Sequence, residues 1–279
     1  MNAHACSDKS ENVINTIKCA EGDNEYTIFK SEAPGDLTRH AKEQENSIIF
    51  SLGGDGTIFE TVNGMAESSN AICPIPAGSG NDFCRILSNE NNYRKVLLGH
   101  KGYSVKKFDC GKADDLYFAN IASIGFDAEV VANAQKFKHI PGLRKISYII
   151  AVFYTLFTFR GSSAKITIDG NVYDKRFLLC AVANGRYYGG GIDIVPIANP
   201  RDGLFDVLIV DCMSMLKLFF LLPTMVNGKH IHLKVVHVFQ AKKVTVESDK
   251  PFILNLDGEL FERKKTEMKI IEKGLNVYC

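Results

Sequence analysis

Two glycine-rich stretches have the residue types and spacing to hold phosphate. Gly53-Gly54-Asp55-Gly56-Thr57 follows the apolar run Ser47–Leu52 and precedes a helical pattern that reaches Met65. Glycines let a backbone turn tightly and approach a ligand closely, and the free N–H groups at a helix start offer hydrogen bonds and partial positive charge to phosphate oxygens. Asp55 would repel a phosphate unless a cation lay between them, which points to magnesium bridging carboxylate and nucleotide through water. Pro74–Phe83 repeats the logic one strand later. There Gly78 and Gly80 flank Ser79, and Asn81 and Asp82 are suited to cap a helix beginning near Phe83. Two such loops on the C-terminal edge of one sheet can face a single ligand.

Either loop alone would be explained as well by a tight turn whose glycines serve geometry only; the pair outweighs that account. Phe59 and Phe83 stand where G-x-G-x-x-G requires its third glycine, and no G-x-x-x-x-G-K-[ST] occurs, so dinucleotide-Rossmann and Walker sites are excluded. The catalytic-loop and magnesium-loop motifs of protein kinases are missing too. If a nucleotide held there gave up a phosphoryl group, the transfer would need neutralised phosphates, in-line geometry and a base near the attacking group. Asp257-Gly258-Glu259 supplies candidates: its glycine lets the Glu259 side chain emerge toward a cleft, and Asp257 is suited to positioning metal or water. Asp-Gly is also a strong turn dipeptide, and Asp202-Gly203 shares that ambiguity. His230 and His232 share a face by strand alternation but lack a third ligand at suitable spacing, so they read as surface or core residues.

Positioning these loops requires a strand-helix alternation, and the sequence from Tyr26 to Leu98 has one. Strands are predicted over Tyr26–Phe29, Ser47–Leu52 and Ala71–Pro74, with helices around Leu37–Gln44, Thr57–Met65 and Tyr93–Leu98. That order argues for a parallel sheet covered by helices. After about Lys107, alternating runs such as Ala164–Ile168, Arg176–Asn184 and Lys242–Glu247 read as mainly antiparallel β. The boundary is expected between Gly102 and Asp109, with the active site in the cleft between the halves.

The 279 residues suffice for two modest domains, and 33 basic against 32 acidic side chains leave no basic field that would draw the chain to nucleic acid. Eight scattered cysteines without a C-x-x-C pair read as reduced thiols. Met1–Glu11 lacks the pattern of a signal peptide, so the cytoplasm is expected. The apolar run Ile146–Phe159 is shorter than the roughly 20 residues that span a bilayer. A buried helix explains it; its crowd of aromatic residues leaves contact with a lipid surface open. Met215–Met225 could equally line a path for acyl chains or pack in the core.

The paired Gly-Gly-Asp-Gly-Thr and Gly-Ser-Gly-Asn-Asp-Phe loops resemble those of the diacylglycerol kinase catalytic domain family, which includes soluble bacterial lipid kinases and the sphingosine and ceramide kinases. Further matches are Asn120–Asp127, Asn184-Gly185 with Gly189–Gly191, Asp202–Asp206 and Asn255–Glu259. The resemblance implies a phosphofructokinase-like α/β nucleotide domain (1–106), a mainly antiparallel β-sandwich domain for the lipid (107–265), and a C-terminal segment (266–279) returning to the first. It implies ATP as co-substrate with magnesium, bound by Gly53, Gly54, Asp55, Gly56, Thr57, Gly78, Ser79, Gly80 and Asn81, with Glu60 and Asn63 matched on the following helix. It makes Glu259 the general base, sets Asp127 near the lipid's polar head, and gives Asp202 a structural magnesium shared with the backbone carbonyls of Asn199 and Leu204.

The expected partner is a lipid, diacylglycerol by default, met at the inner membrane face; a homodimer stays open. One departure is the start, Met1–Ala5, where the family usually has a strand ending in Asn-Pro-x-Ser-Gly. The first strand is expected to be truncated, with Asn2 its candidate remnant and a start-site error the simplest account. Two rivals remain. An NAD kinase-like enzyme would share the first loop, but the second loop and the placement of Asn89-Glu90 disfavour it. A binding protein without catalysis would not require Asp55, Asp202 and Glu259 together.

Overall fold

The computed structural model describes residues 10–21, 25–88, 92–138, 140, 147–226 and 228–279. Asn2, the Asn89-Glu90 pair and Ile146 lie outside them. The first half contains α1 (Ser10–Glu21), α2 (Asp36–Lys42), β1 (Ile48–Gly53), α3 (Asp55–Met65), β2 (Ala71–Pro76), α4 (Asp82–Leu87) and α5 (Tyr93–Gly99), then β3 (Val105–Ala113). β1 and β2 pair in parallel from Ile48 opposite Ala71 to Gly53 opposite Pro76. α3 turns Ile58, Val62 and Met65, spaced for one helical face, onto Ile72 and Phe83. The opposite face of the strands is covered where Val13 of α1 and Val96 of α5 meet Leu52 and Ile75.

The second half continues with β4 (Leu116–Phe118), β5 (Ile121–Gly125), α6 (Phe126–Lys138), α7 (Ser147–Thr158), β6 (Ser162–Ile168), β7 (Asn171–Ala183), β8 (Tyr187–Tyr188) and β9 (Ile192–Asp193). It ends with β10 (Phe205–Asp211), α8 (Met215–Val226), β11 (Val236–Ala241), β12 (Lys243–Leu256) and β13 (Glu259–Tyr278). Its strands pair antiparallel. β7 and β12 flank β5 at one end and β6 at the other, so the sheet bends around a core that contains stacked Phe118 and Phe205. Along β7, Cys180 and Val182 face that core, while Leu179 and Ala181 face a second core under α6, α7 and α8. Burial on both faces is why this strand reads as a continuous apolar run.

β13 joins the halves. It pairs with β12 and β3, and its Asn276 and Val277 lie parallel to Ala71 and Ile72 of β2. Among the described residues, eleven strands thus form one sheet, in which parallel pairing is confined to β1 with β2 and β2 with the end of β13.

Three expectations are corrected. Tyr26–Phe29 forms no strand, and Phe29 instead stacks on His40 of α2, ring centroids 4.0 Å apart. The expected break between residues 106 and 107 falls inside β3. His230 and His232 lie in a 3₁₀ turn, Lys229–His232, where strand alternation does not apply.

Candidate active site

The in-register ends of β1 and β2 bring the two glycine loops out side by side, and the Ala77 N–H donates to the Gly53 carbonyl at 3.0 Å. Gly54 and Gly78 meet backbone to backbone: a methyl group added to Gly78 would stand less than 3.0 Å from Gly54 Cα. Here glycine is required by the approach of one loop to the other. Ser79 is exposed at the loop tip, and Thr57 is buried, folded back under Gly53.

Asp55 fastens the loops together. Its Oδ1 accepts the Asp82 N–H at 2.7 Å and its Oδ2 accepts the Asn81 N–H at 3.0 Å, so the cap of α4 comes from the other loop. This corrects the expected capping by Asn81 and Asp82. Asn81, in the left-handed region at φ 55, uses its side chain to accept the Gly78 N–H and to donate to the Gly78 carbonyl. Asp82 Oδ2 accepts the Gly190 N–H at 3.0 Å, while its Oδ1 is buried and has no hydrogen-bond partner among the described residues. Burial, then the charge of Asp82, pushes Asp55 up to about 6, and burial raises Asp82 as well. The Arg85 side chain donates to the Gly80 carbonyl at 3.1 Å and packs beside Gly191, bringing positive charge to this junction.

The turn between β12 and β13 presents Glu259 to the start of α3. A methyl on Gly56 would lie 3.0 Å from Glu259 Oε1. Glu259 reaches solvent at its rim; the partial burial of its carboxylate and the nearby Glu60 charge raise its pKa. Asp257 does a different job from the one expected. Its carboxylate accepts the N–H groups of Ala119 (2.7 Å), Asn120 (3.1 Å) and Ile121 (2.8 Å), clamping the β4–β5 connection. Burial pushes it up to about 7 against those three donors. Metal or water positioning by Asp257 is therefore replaced by a backbone clamp.

Glu60 and Asn63 are also occupied. Glu60 Oε2 accepts the Leu37 N–H at 3.2 Å, tying α2 to α3. Asn63 donates to the carbonyls of Phe59 and Tyr117 and accepts the Tyr117 N–H, joining α3 to β4. The Asn63 amide has spent its groups on that seam, which corrects its expected nucleotide contact.

Asp127 stands in the first turn of α6, 4% exposed. Its Oδ2 accepts hydrogen bonds from the Ser123 hydroxyl and from Asn255 Nδ2, whereas Oδ1 has no partner among the described residues. Asp127 lines a cavity of ≈ 170 Å³ whose other walls are apolar or aromatic, among them Val130, Tyr148, Val152, Tyr188 and Leu218. Leu218 and Met225 bring the hydrophobic stretch of α8 to this cavity. Burial raises the pKa of Asp127 against its donors.

The Asp202 turn is exposed. Asp202 Oδ1 accepts the Leu204 N–H at 3.1 Å, and the Asn199 carbonyl accepts the Arg201 N–H. Buried Asp109 pins the turn by accepting the N–H groups of Gly203 and Lys273. Among the described residues, no three or more His, Cys, Asp or Glu side chains converge as a metal cage. His230 is a core residue bonded to the Ile194 carbonyl, and burial lowers its pKa.

Sequence reasoning gave no site role to Arg85, Ser123 or Asn255, and Asp82 entered only as a cap. The available signals were the placement of Asp82 next to the second loop, the i, i+4 spacing of Ser123 and Asp127, and Asn255 two residues before Asp257.

Residues 1–113 match the model of the diacylglycerol kinase catalytic domain, and residues 120–279 match the YegS C-terminal NAD kinase beta sandwich-like domain. The chain is 31% identical over 271 residues to a diacylglycerol kinase of Staphylococcus aureus (strain JH9), covering 94% of this chain and 85% of that one. Its fold is similar to the crystal structure of a diacylglycerol kinase from Bacillus anthracis str. Sterne, with TM-score 0.69 and 22% identity over 96% of this chain and 91% of that one. A second structure from the same strain gives TM-score 0.80 and 24% identity, covering 100% of this chain and 93% of that one.

Proposed function

The chain belongs to the diacylglycerol kinase-like lipid kinase family, and on that premise we propose that it transfers the γ-phosphoryl group of ATP to a hydroxyl of diacylglycerol or a related lipid. The cavity beneath Asp127 carries this reading: an apolar chamber with one buried, half-satisfied carboxylate suits a lipid whose acyl part lies against the walls and whose hydroxyl-bearing head meets the carboxylate. A dinucleotide acceptor would need polar partners along its length, which those walls do not offer.

Gly53, Gly54, Gly56 and Thr57 at the start of α3, with Gly78, Ser79, Gly80 and Asn81, cradle the ATP phosphates, and Arg85 adds positive charge at the rim. Asp55 and Asp82 bring two mutually repelling carboxylates together, and Asp82 Oδ1 accepts no hydrogen bond among the described residues, a donor set that fits a hard cation in competition with Arg85 Nε, 3.9 Å from that oxygen. Magnesium held there would neutralise phosphate charge. A second magnesium at Asp202 with the carbonyls of Asn199 and Leu204 draws its support from family resemblance. Asp127 accepts a hydrogen bond from the acceptor lipid's polar head. Glu259 takes the hydroxyl proton as that oxygen bonds to the γ-phosphorus, while the bond to the β–γ bridging oxygen breaks and ADP leaves. A raised carboxyl pKa brings a base closer to neutral operating conditions.

The division into a nucleotide and a lipid unit moves from residue 106 to the turn after β3, consistent with the two matched ranges. Exposed Ile149, Phe153, Tyr154 and Phe157 (66% exposed) on α7, beside the cavity wall, favour contact with the inner membrane face from the cytoplasm. Among the described residues, no helix is long and apolar enough to cross a membrane.

The test is transfer of labelled γ-phosphate from ATP with magnesium to mixed-micelle lipids, beside NAD as acceptor and beside Val130→Phe, which fills the cavity. Labelled lipid from the unmodified protein, with transfer by Val130→Phe falling roughly tenfold or more at unchanged ATP affinity, is expected. Label on NAD, or none anywhere while ATP binds, overturns the reading.

A further inference from the structure

We propose that Asn255 is a positioning residue that couples the two ends of the site, holding the Asp127 carboxylate and the Glu259 turn in one fixed relation through the two ends of a single amide. The inference rests on the lipid-kinase reading above. Asn255 is buried near the end of β12, opposite Ser123 of β5 and Leu260 of β13. Its Nδ2 donates to Ser123 Oγ at 3.2 Å and to Asp127 Oδ2 at 3.4 Å. Its Oδ1 accepts the Gly258 N–H at 2.9 Å.

Gly258, at φ 100, sits between clamped Asp257 and Glu259. The turn that presents Glu259 is therefore fixed at two points, by the Asp257 carboxylate on the backbone of residues 119–121 and by the Asn255 amide. A residue that only capped the turn would need Oδ1 alone. The other end of this amide instead engages one oxygen of Asp127, beside the oxygen left open for an acceptor. Tyr148 from α7 and Tyr188 from β8 line the same cavity as this carboxylate, and Cys180 of β7 lies in the core on the other face of the sheet. Burial holds all three neutral, with Tyr148 and Cys180 pushed up to about 12 and Tyr188 raised as well. Asp127 is thus the acid of this group; burial raises its pKa, and the donors from Ser123 and Asn255 favour its ionised form.

The experiment compares lipid phosphorylation by the unmodified protein, Asn255→Asp and Ser123→Ala. It measures KM for lipid and for ATP and the pH profile of kcat/KM for lipid, with thermal melts of each protein. Asn255→Asp keeps an acceptor for the Gly258 N–H, removes the donor to Asp127 and sets a like charge beside it. It should raise the lipid KM roughly tenfold, leave the ATP KM within about twofold, and move the acid limb to higher pH. Ser123→Ala leaves the turn bond intact and should move the limb in the same direction. If Asn255→Asp does not fold, Asn255→Ser, whose single hydroxyl cannot replace both ends of the amide, takes its place in the same measurements.

An acid limb and lipid KM like those of the unmodified protein in both variants overturn the assignment. A fall in kcat with both KM values and the pH profile unmoved shows a turn cap only, and overturns it too. No labelled lipid from the unmodified protein overturns the lipid-kinase reading itself, and this inference with it, so the two failures are told apart.

Discussion

Gly78→Ala puts the closeness of the two phosphate loops to a quantitative test. The added methyl would lie under 3.0 Å from Gly54 Cα, about 3.1 Å from Gly54 N and 3.2 Å from Asn81 Oδ1. Carbon atoms rest at about 3.5 Å or more, and the nearest obstacle is backbone with no rotamer to yield. The loops must therefore part by more than about 0.5 Å. Overpacking of this size costs about 1–3 kcal/mol of stability. The larger effect should be catalytic, because a displacement near 1 Å in a positioning element can cost on the order of 100-fold. A loss of at least about tenfold in kcat/KM for labelled-phosphate transfer is expected, together with weaker ATP binding by calorimetry. Gly102→Ala is the matched control, since a methyl there meets nothing within 4 Å. If Gly78→Ala transfers phosphate and melts as the control does, the loops do not touch as described, and the argument for their glycines fails.

Glu259→Gln should abolish turnover while calorimetric ATP affinity stays within about twofold, because the amide keeps the shape and removes the base; undiminished turnover would exclude Glu259 from that role. Asp257→Asn should destabilise by about 1–3 kcal/mol, since one amide oxygen cannot accept from three N–H groups. It should also change the pH dependence. The folded-state value of about 7 lies above the ordinary 3.8, so the native state binds the extra proton, and this group's contribution is full below about pH 4 and lost as pH rises toward 7. Urea melts at pH 5 and pH 8 should show that slope flattened in Asp257→Asn; an unchanged slope counts against a buried, proton-binding Asp257.

The phosphate loops were legible because local chemistry writes them: a strand, a glycine turn and a helix are contiguous in sequence, and β1, α3 and β2 lie within a few residues of their expected places. Side-chain duties that depend on distant partners were not. Nothing near Asp257 shows that residues 119–121 will offer it three N–H groups, and nothing near Asn63 shows that Tyr117 will consume its amide. Tyr26–Phe29 has strand composition, but a strand requires a neighbour. Asp55 was recognised as out of place beside phosphate; that it would cap the helix of the next loop depends on how closely glycine allows the two turns to meet.

β13 also sets the order in which the molecule can be made. The second edge of β2 is covered only when Asn276 and Val277 arrive, and the Asn276 amide bonds carbonyls 206 and 208 residues earlier in the chain. Contacts of such sequence separation form late and slow folding, because a long loop must close before they stabilise anything. During synthesis the strand feeding the second phosphate loop waits with one edge unpaired until residues 276–277 have left the ribosome, so the nascent nucleotide half is the stage at which this protein is exposed to edge-to-edge aggregation.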